Sequence, residues 1–258
     1  MGPAASSVQS VQEACLNGWP ALREVVFDGW LLRFSGGYTR RANSVHLLAP
    51  GAQPLDEKIR YCEALYAAQG LPTLFCIPST APPSLGLALD GRGYEPPEDE
   101  TRILHMNLAR DAPLPPAGIE LEQGLPGDAW LHALARLQGR SEAEQRTHRK
   151  ILEALAVPAV FASAPVASGR LGAIAFGAVH RGVVCVNSVA TDPEFRRRGL
   201  AQGAISGVLA WAHRHGATGA CVPVVAENAP AVGLYEGLGF REEVSRYHYR
   251  RGPPLKRL

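Results

Sequence analysis

A run of three arginines followed by Gly199 carries the chemistry that this sequence shows most clearly. The apolar, β-branched run Val183–Val189 comes shortly before it and predicts a buried strand. Apolar residues spaced i, i+4 and i+8 from Leu200 onward come directly after it and predict a helix. A tight basic turn at a helix N-terminus presents free backbone N–H groups and the positive end of the helix dipole. Such a turn is suited to binding an anion, above all a pyrophosphate.

The strand and the helix around this turn are bounded by residues of their own. The Asp-Pro pair at 192–193 ends the strand, because proline cannot continue a ladder and restricts the residue before it. The helix is predicted over residues 199–215, since a glycine follows as its stop. Gly203 and Gly207 lie one turn apart on it, where the lack of a side chain allows a neighbour to approach closely.

Two motifs in this half of the chain resemble those of a known superfamily. Arg196-x-x-Gly199-x-Ala201 is similar to the Arg/Gln-x-x-Gly-x-Gly/Ala signature of the GNAT superfamily of acyl-CoA-dependent N-acetyltransferases. Residues 226–240, AENAPAVGLYEGLGF, resemble the second CoA motif of that superfamily, in the expected order. The resemblance implies an α/β fold with a mixed sheet, the GNAT-like acyl-CoA N-acyltransferase fold, and acetyl-CoA as co-substrate.

The resemblance also implies which residues bind CoA. Backbone N–H groups of the basic turn would hold the diphosphate, with the arginine side chains adding charge; this set is Arg196, Arg197, Arg198, Gly199, Leu200, Ala201 and Gln202. Val189, Ala190 and Thr191 would pair through their backbone with the amides of the pantetheine arm. Asn228 would contact the CoA arm, and by its residue type alone it is a helix N-cap.

Tyr235 is the residue predicted to take part in the chemistry. The resemblance aligns it with a tyrosine near the thioester sulfur, where a phenol can supply the proton that the departing thiolate needs. A backbone N–H in the strand of Val189 would stabilise the tetrahedral oxyanion. The alternative for Tyr235 is a core aromatic on an amphipathic helix.

The sequence does not identify a general base. Asn187 and Ser188 stand on the strand where many relatives keep a carboxylate. Glu227 and Glu236 are nearby in sequence, and each is equally well explained as a surface carboxylate. A water chain or an amine that is already deprotonated would remove the need for a base.

The first half of the chain resembles a degenerate copy of the same domain. Its segment Phe27–Ser44 is similar to the N-terminal half of two-part GNAT proteins, and residues 1–110 contain no Arg-x-x-Gly-x-Gly/Ala turn. One CoA site is therefore expected, in the second half. Residues 111–118 are rich in proline and predict a linker, which leaves residues 119–258 as the acetyltransferase domain.

The first half is predicted to contribute acceptor specificity through an aromatic and basic cluster. The alternative is a half-buried strand with a solvated rim. The cluster consists of Trp30, Arg33, Tyr38, Arg40, Arg41 and Asn43. Several arginines together suit an acceptor that carries a carboxylate or a phosphate.

Several other elements can be predicted from local pattern. One strand is expected over Val25–Phe34 and a partner strand over Ala42–Leu48, with a turn between them. Apolar spacing predicts a helix over Asp128–Gln138. Ser141 followed three residues later by Glu144 has the form of a capping box and predicts the start of another helix.

Composition limits the function without suggesting it. A net charge of +2 gives no reason to expect nucleic-acid or membrane binding. The five cysteines are scattered without C-x-x-C spacing, which predicts reduced thiols in a cytoplasmic protein and neither a zinc site nor another metal. The chain is expected to be a monomer or a homodimer.

Taken together, these patterns predict an acetyltransferase that moves acetyl directly from acetyl-CoA to a primary amine of a small molecule. Two alternatives remain at this point. One is a protein-lysine acetyltransferase that uses the first half for docking. The other is a sensor that binds acyl-CoA without turnover.

Overall fold

A computed structural model describes residues 6–114, 116–167 and 169–255, so that Pro115 of the predicted linker lies outside the described residues. The elements in chain order are α1 (Ser6–Asn17), β1 (Arg23–Phe27), β2 (Trp30–Phe34), β3 (Val45–Leu47), α2 (Leu55–Ala68), β4 (Leu74–Pro78), α3 (Pro83–Asp90), β5 (Glu98–Asn107), α4 (Leu108–Asp111), β6 (Glu120–Gln123), α5 (Asp128–Gln138), α6 (Glu142–Glu153), β7 (Ala159–Pro165), β8 (Leu171–His180), β9 (Val183–Thr191), α7 (Leu200–Arg214), β10 (Gly219–Val225), α8 (Ala229–Gly237) and β11 (Glu242–Arg251). No described helix is long and apolar enough to cross a membrane.

Contacts divide the chain into two units, each made of several segments. Unit 1 consists of Met1–Pro20, Arg102–Val224 and Asn228–Val244. Unit 2 consists of Ala21–Thr101, Val225–Glu227 and Ser245–Leu258. Helix α1 belongs to unit 1, where it packs on β8 and β9. The division at 111–118 that the sequence suggests stays a prediction.

Unit 1 is built on strands in the order β5-β10-β9-β8-β7-β6. Strand β8 pairs antiparallel with β7 and β9, and β9 pairs parallel with β10. Helix α7 packs against β7, β8 and β9 and is buried from Ala204 to Ala212. This depth of burial explains the apolar spacing of the helix and the continuous apolar run of β9.

Close approach between α7 and its neighbours depends on glycine, as predicted. A Cβ atom on Gly203 would lie 3.0 Å from Ile119 Cδ1, and one on Gly207 would lie 2.9 Å from Ile119 Cγ2. A Cβ atom on Gly177 of β8 would lie 2.3 Å from Val208 Cγ1. These three glycines set how closely the helix lies on the sheet.

Unit 2 has strands in the order β1-β2-β3-β4-β11 around a core of aromatic and aliphatic side chains. Strand β2 pairs antiparallel with β1 and β3, and β3 pairs parallel with β4. The pairing of β2 with the segment after it is as predicted, although β3 is shorter than the predicted Ala42–Leu48.

The prediction of one strand over Val25–Phe34 is wrong. The chain turns back at Asp28 and Gly29, whose φ angles are 44° and 81°, and Phe27 pairs with Trp30 across the turn. Two left-handed residues in a two-residue turn match the twist of the flanking strands, which is why Asp-Gly is a strong hairpin signal.

In unit 1 the helix over Asp128–Gln138 and the capping box that precedes α6 are both confirmed.

The contact of Gly207 with β6 gives a prediction for stability. Gly207→Leu should lower the free energy of unfolding by about 1–3 kcal/mol, because the new side chain must displace Ile119 and Leu121. The control is Gly86→Leu in α3, where a Cβ atom would meet no described atom within 4 Å. The control should leave the stability unchanged or slightly higher, since leucine favours helix over glycine. Urea unfolding measures both, and equal stability of the two variants would contradict the close packing.

Candidate functional site

Strand β9 carries a β-bulge near its end. Phe176 of β8 pairs with Asn187 and Ile174 pairs with Ala190, so that one residue of β8 faces both Ser188 and Val189. The φ angle of Ser188 is 49°, in the left-handed region that non-glycine residues seldom adopt. A bulge interrupts the ladder and turns backbone groups away from the neighbouring strand.

Beyond the bulge, β9 has lost its other neighbour. Within the described part of the chain, the parallel pairing of β9 with β10 covers Val183–Cys185 and Gly219–Cys221 and ends there. Both strands continue past that point, and the one pairing that the described residues show for Ala190 and Thr191 is with β8. The edge of β9 that faces away from β8 is therefore open over its last residues.

The residues directly after β9 form a compact turn. Asp192 accepts a hydrogen bond from the backbone N–H of Glu194 at 3.1 Å and starts a 3-10 turn over Pro193–Phe195. Arg197 and Gly199 follow with φ angles of 63° and 76°. Left-handed residues in a turn bring successive backbone N–H groups to one side, which is how anion-binding concavities are built.

The start of α7 completes this turn. The first bond of the helix runs from the N–H of Gly203 to the C=O of Gly199 at 2.8 Å. The N–H groups of Leu200, Ala201 and Gln202 have no acceptor inside the helix and lie at its positive end. The predicted residues 196–202 thus come together as one surface segment, exposed over 196–199 and at Gln202.

The charge on this segment is unopposed. In the part of the chain that the structure describes, no ion pair engages the arginines at 196–198. The guanidinium of Arg198 lies 5.2 Å from the centre of the Phe195 ring, a cation–π distance. Arg170, in contrast, is held by Glu194 at 2.5 Å. The three arginines are thus available to an anionic ligand.

A buried carboxylate, Asp192, anchors the turn, although the sequence pattern marks this residue only as a strand end. Arg136 Nη1 donates to Asp192 Oδ2 at 2.5 Å, and Arg136 Nη2 donates to the C=O of Leu171 at 2.9 Å. The hydrogen bond from Arg136 is the main cause that lowers the pKa of Asp192. An Asp before a proline is an N-cap signal, so the sequence indicates that Asp192 caps the turn. It does not indicate that Arg136, which is distant in the chain, is the partner of this carboxylate.

Helix α8 carries the residues of the second motif. Asn228 Oδ1 accepts a hydrogen bond from the N–H of Ala231 at 3.2 Å, which confirms its role as an N-cap. Tyr235 is buried, 7% exposed, with its ring edge-on to Phe240 at 6.0 Å. It lies in the same apolar cluster against which Val189 packs. The CoA contact of Asn228 and the proton-donor role of Tyr235 stay predictions.

The position where relatives keep a base is occupied by a tightly held amide. Asn187 is buried, and its Nδ2 donates to the C=O of Gly18 at 3.3 Å and to the C=O of Cys185 at 3.2 Å. Glu236 lies on the exposed side of α8, 3.6 Å from Arg102. These contacts give no support for either Asn187 or Glu236 as the general base.

In unit 2, several residues of the predicted acceptor cluster have structural contacts. Arg33 is 1% exposed, pairs with Glu24 at 3.0 Å and donates to the C=O of Arg41 at 3.2 Å. Burial is the main cause that lowers the pKa of the Arg33 guanidinium. Trp30 lies in the core with the Lys58 ammonium 4.2 Å from its ring centre. These contacts hold β2 in the unit.

Asn43 organises the loop that carries the rest of the cluster. Its Oδ1 accepts from the N–H groups of Ser35 and Gly37 at 2.7 and 2.8 Å. Its Nδ2 donates to the C=O groups of Tyr38 and Thr39 at 2.6 and 2.9 Å. An amide that satisfies four backbone groups fixes the shape of this loop.

The surface of the cluster is carried by its other two arginines. Arg40 is exposed and pairs with Glu98 at 3.3 Å and with Asp99. Arg41 is half-buried, and Tyr38 is buried. The structure thus brings the six residues together in one loop and strand, four of them inside the unit.

Comparison with known proteins identifies the family. A model of the protein family described as "Probable histone acetyltransferase Rv0428c C-terminal" matches residues 5–250. The uncharacterized N-acetyltransferase YobR of Bacillus subtilis is 27% identical over 246 residues, which cover 94% of this chain and 98% of YobR.

Solved structures share the fold. A GCN5-related N-acetyltransferase from Kribbella flavida superposes with a TM-score of 0.66 at 20% identity, covering 98% of this chain and 96% of that chain. A tandem GNAT protein from the clavulanic acid biosynthesis pathway gives 0.63 at 15% identity, covering 82% and 74%. The predicted fold is confirmed.

With a family match over nearly its whole length, the chain belongs to this acetyltransferase family within the GNAT superfamily and is an acyl-CoA-dependent N-acetyltransferase.

Proposed function

We propose that the chain moves acetyl from acetyl-CoA to a primary amine of a small molecule. The observation that carries the acetyl-CoA part of this proposal is the exposed basic turn at 196–199, which follows directly on the open edge of β9. A diphosphate and an extended amide chain are the two parts of CoA that such a pair of features would bind. Both features lie in unit 1.

The diphosphate is assigned to the turn and the start of α7. The left-handed residues Arg197 and Gly199 and the first N–H groups of the helix supply donors, and three unopposed arginines supply charge. A Cβ atom added to Gly199 would meet no described atom within 4 Å, so space for a phosphate lies directly beside its backbone. Backbone donors at a helix N-terminus are the usual solution for this ligand.

The pantetheine arm is assigned to the open edge of β9. Val189, Ala190 and Thr191 would pair with its two amides in the manner of an added strand, since β10 no longer occupies that edge. The bulge at Ser188 turns backbone groups out of the ladder at the same place. We assign the N–H of Val189 to the oxyanion and Asn228 to a contact with the arm.

Tyr235 is proposed as the proton donor for the departing thiolate. The amine attacks the thioester carbonyl, the tetrahedral intermediate collapses with loss of the thiolate, and the phenol protonates that sulfur. The proton lost by the attacking amine restores the phenol, directly or through solvent. Burial of Tyr235 in the cluster that includes Val189 supports a position near the thioester.

The acceptor is proposed to carry a carboxylate or a phosphate. Arg40, which is exposed, and Arg41, which is half-buried, are the arginines of the loop at the surface of unit 2. Arg40 pairs with Glu98 and Asp99, so an acidic acceptor would take the place of these carboxylates. Arg33 is 1% exposed and gives no support. A protein-lysine acceptor is the second candidate, because the family description names a histone acetyltransferase.

The diphosphate assignment is tested by Gly199→Glu. We expect acetyl-CoA affinity to fall about tenfold or more, because a carboxylate would stand where the diphosphate binds. Gly139→Glu is the matched control: Gly139 also has a positive φ, 61° against 76°, and an open Cβ position, but it ends α5. Calorimetric titration measures both, and equal loss of affinity in the two folded variants would remove the turn as the site.

The role of Asp192 is tested by Asp192→Asn, which keeps the size of the side chain. Arg136 holds the pKa of Asp192 below its usual value, so the carboxylate stabilises the fold above the unfolded pKa of about 3.9 and loses this effect as pH falls through the folded value. The variant should melt below wild type at pH 7, with a smaller gap near pH 3. Glu194→Gln, at the exposed end of the same turn, is the control. A gap that does not change with pH would contradict the charge pairing.

The chemical step is tested by Tyr235→Phe, assayed by release of free CoA thiol. A panel of small amines with and without acidic groups, together with lysine peptides, serves as acceptors. We expect kcat to fall about a hundredfold with little change in KM for acetyl-CoA, since only the proton donor is lost. Tyr247→Phe in unit 2 is the control.

Unchanged turnover by Tyr235→Phe would remove Tyr235 from the chemistry. If the wild type acetylates peptides alone, the protein acceptor is favoured. If the wild type binds acetyl-CoA without turnover of any amine, the sensor is favoured.

A further inference from the structure

Three cysteines that are far apart in sequence come together inside unit 1. Cys15 lies on α1, Cys185 on β9 and Cys221 on β10. Cys185 and Cys221 are fully buried, and Cys15 is 8% exposed. Nothing in their spacing predicts this, because each comes from a different segment of the chain. None of the three belongs to the proposed acetyl-CoA site.

The sulfur atoms lie at the separations that a shared ion requires. Cys15 Sγ is 3.8 Å from Cys221 Sγ and 3.8 Å from Cys185 Sγ, and all three lie within 4.8 Å of one another. The point equidistant from three corners of such a triangle is about 2.2–2.5 Å from each, close to the metal–thiolate distance of about 2.3 Å known for zinc. An ion would therefore fit between the sulfurs with little movement of the backbone.

The ligand set selects the kind of ion. Among the described residues, this is the one group of histidine, cysteine or acidic side chains close enough to share an ion, and it offers three sulfurs. Zinc in structural sites takes four ligands, whereas soft monovalent copper accepts thiolates in smaller number. We propose that Cys15, Cys185 and Cys221 form a three-coordinate thiolate site for a soft monovalent ion of the Cu(I) class.

The surroundings are those of a closed site. Asn187 Nδ2 lies 3.5 Å from Cys185 Sγ and directs an N–H toward it, a contact that stabilises a coordinating thiolate. The chain passes close by at Gly18, where a Cβ atom would lie 3.2 Å from the Cβ of Cys185. Each sulfur that binds Cu(I) gives up its proton to solvent.

An ion at this place would join three elements. Cys185 and Cys221 are register partners, and theirs is the last described pair before β9 and β10 separate. Cys15 would tie α1 to that pair. The bound ion should therefore raise the thermal stability of unit 1, whether or not acetyl-CoA is present.

The test is an anaerobic titration of the reduced full chain with Cu(I) in competition with a colorimetric Cu(I) chelator. Wild type should take one Cu(I) per chain. Cys15→Ala should weaken binding more than the 10–100-fold that loss of a supporting contact produces. Cys76→Ala removes a buried cysteine of unit 2 and should bind as wild type. Circular dichroism verifies the fold, and Cys221→Ser, which keeps the side-chain size, replaces Cys15→Ala if that variant is unfolded.

X-ray absorption at the copper edge decides the coordination. Three sulfur neighbours at about 2.3 Å would support the site. The proposal fails if the chelator keeps the copper, if Cys15→Ala and Cys221→Ser bind as wild type, or if the copper has two sulfur neighbours. Binding of Zn(II) with four ligands while Cu(I) is excluded would also overturn it.

Discussion

The separation of β9 from β10 is the constraint on which the site depends. The parallel ladder between them ends at Cys185 and Cys221, although both strands run on. An unpaired strand edge inside a folded unit leaves backbone donors and acceptors that need a partner. The bulge at Ser188 adds to this, because it interrupts pairing on the other side of β9 as well. An extended amide-bearing ligand is the partner that such an edge would accept.

The helix after β9 is fixed by packing, and this fixes where its N-terminus points. Gly203 and Gly207 allow Ile119 and the start of β6 to lie against α7, and Gly177 allows β8 to do so. Before the start of the helix, Arg136 donates a hydrogen bond to the buried carboxylate of Asp192, and this pair anchors the turn. The exposed face of the turn is thereby left to the arginines, whose charge is unopposed in the described chain. Rigid support beneath an electropositive surface is what preorganised anion binding requires.

Two members of the cysteine cluster, Cys185 and Cys221, are also the residues at which β9 and β10 separate. Cys185 and Cys221 close the ladder, and Asn187, which contacts Cys185, lies just before the bulge. A site at this position would stabilise the point from which the two strands diverge. In unit 2, by comparison, Arg33 and Asn43 are used for internal structure: Arg33 pairs with Glu24, and Asn43 bonds to backbone groups of its own loop.

The sequence by itself determined the local features. Gly199, Asn228 and the capping box at Ser141 were readable, because a turn, an N-cap and a helix start depend on residues within one helical turn. The Asp-Gly hairpin at 28–29 is equally local, but the apolar run around it favours a single strand in the sequence pattern. The two motifs together were enough to identify the superfamily.

Only the tertiary structure decided what depends on residues far apart in the chain. The bulge at Ser188, the pairing of Arg136 with Asp192 and the meeting of Cys15 with two strands leave no mark on local sequence. The tertiary structure also decided that Arg33 is buried, because the exposure of a residue follows from what packs over it and not from its type. Contacts between distant segments are set by the free energy of the whole packed unit, which no short stretch of sequence contains.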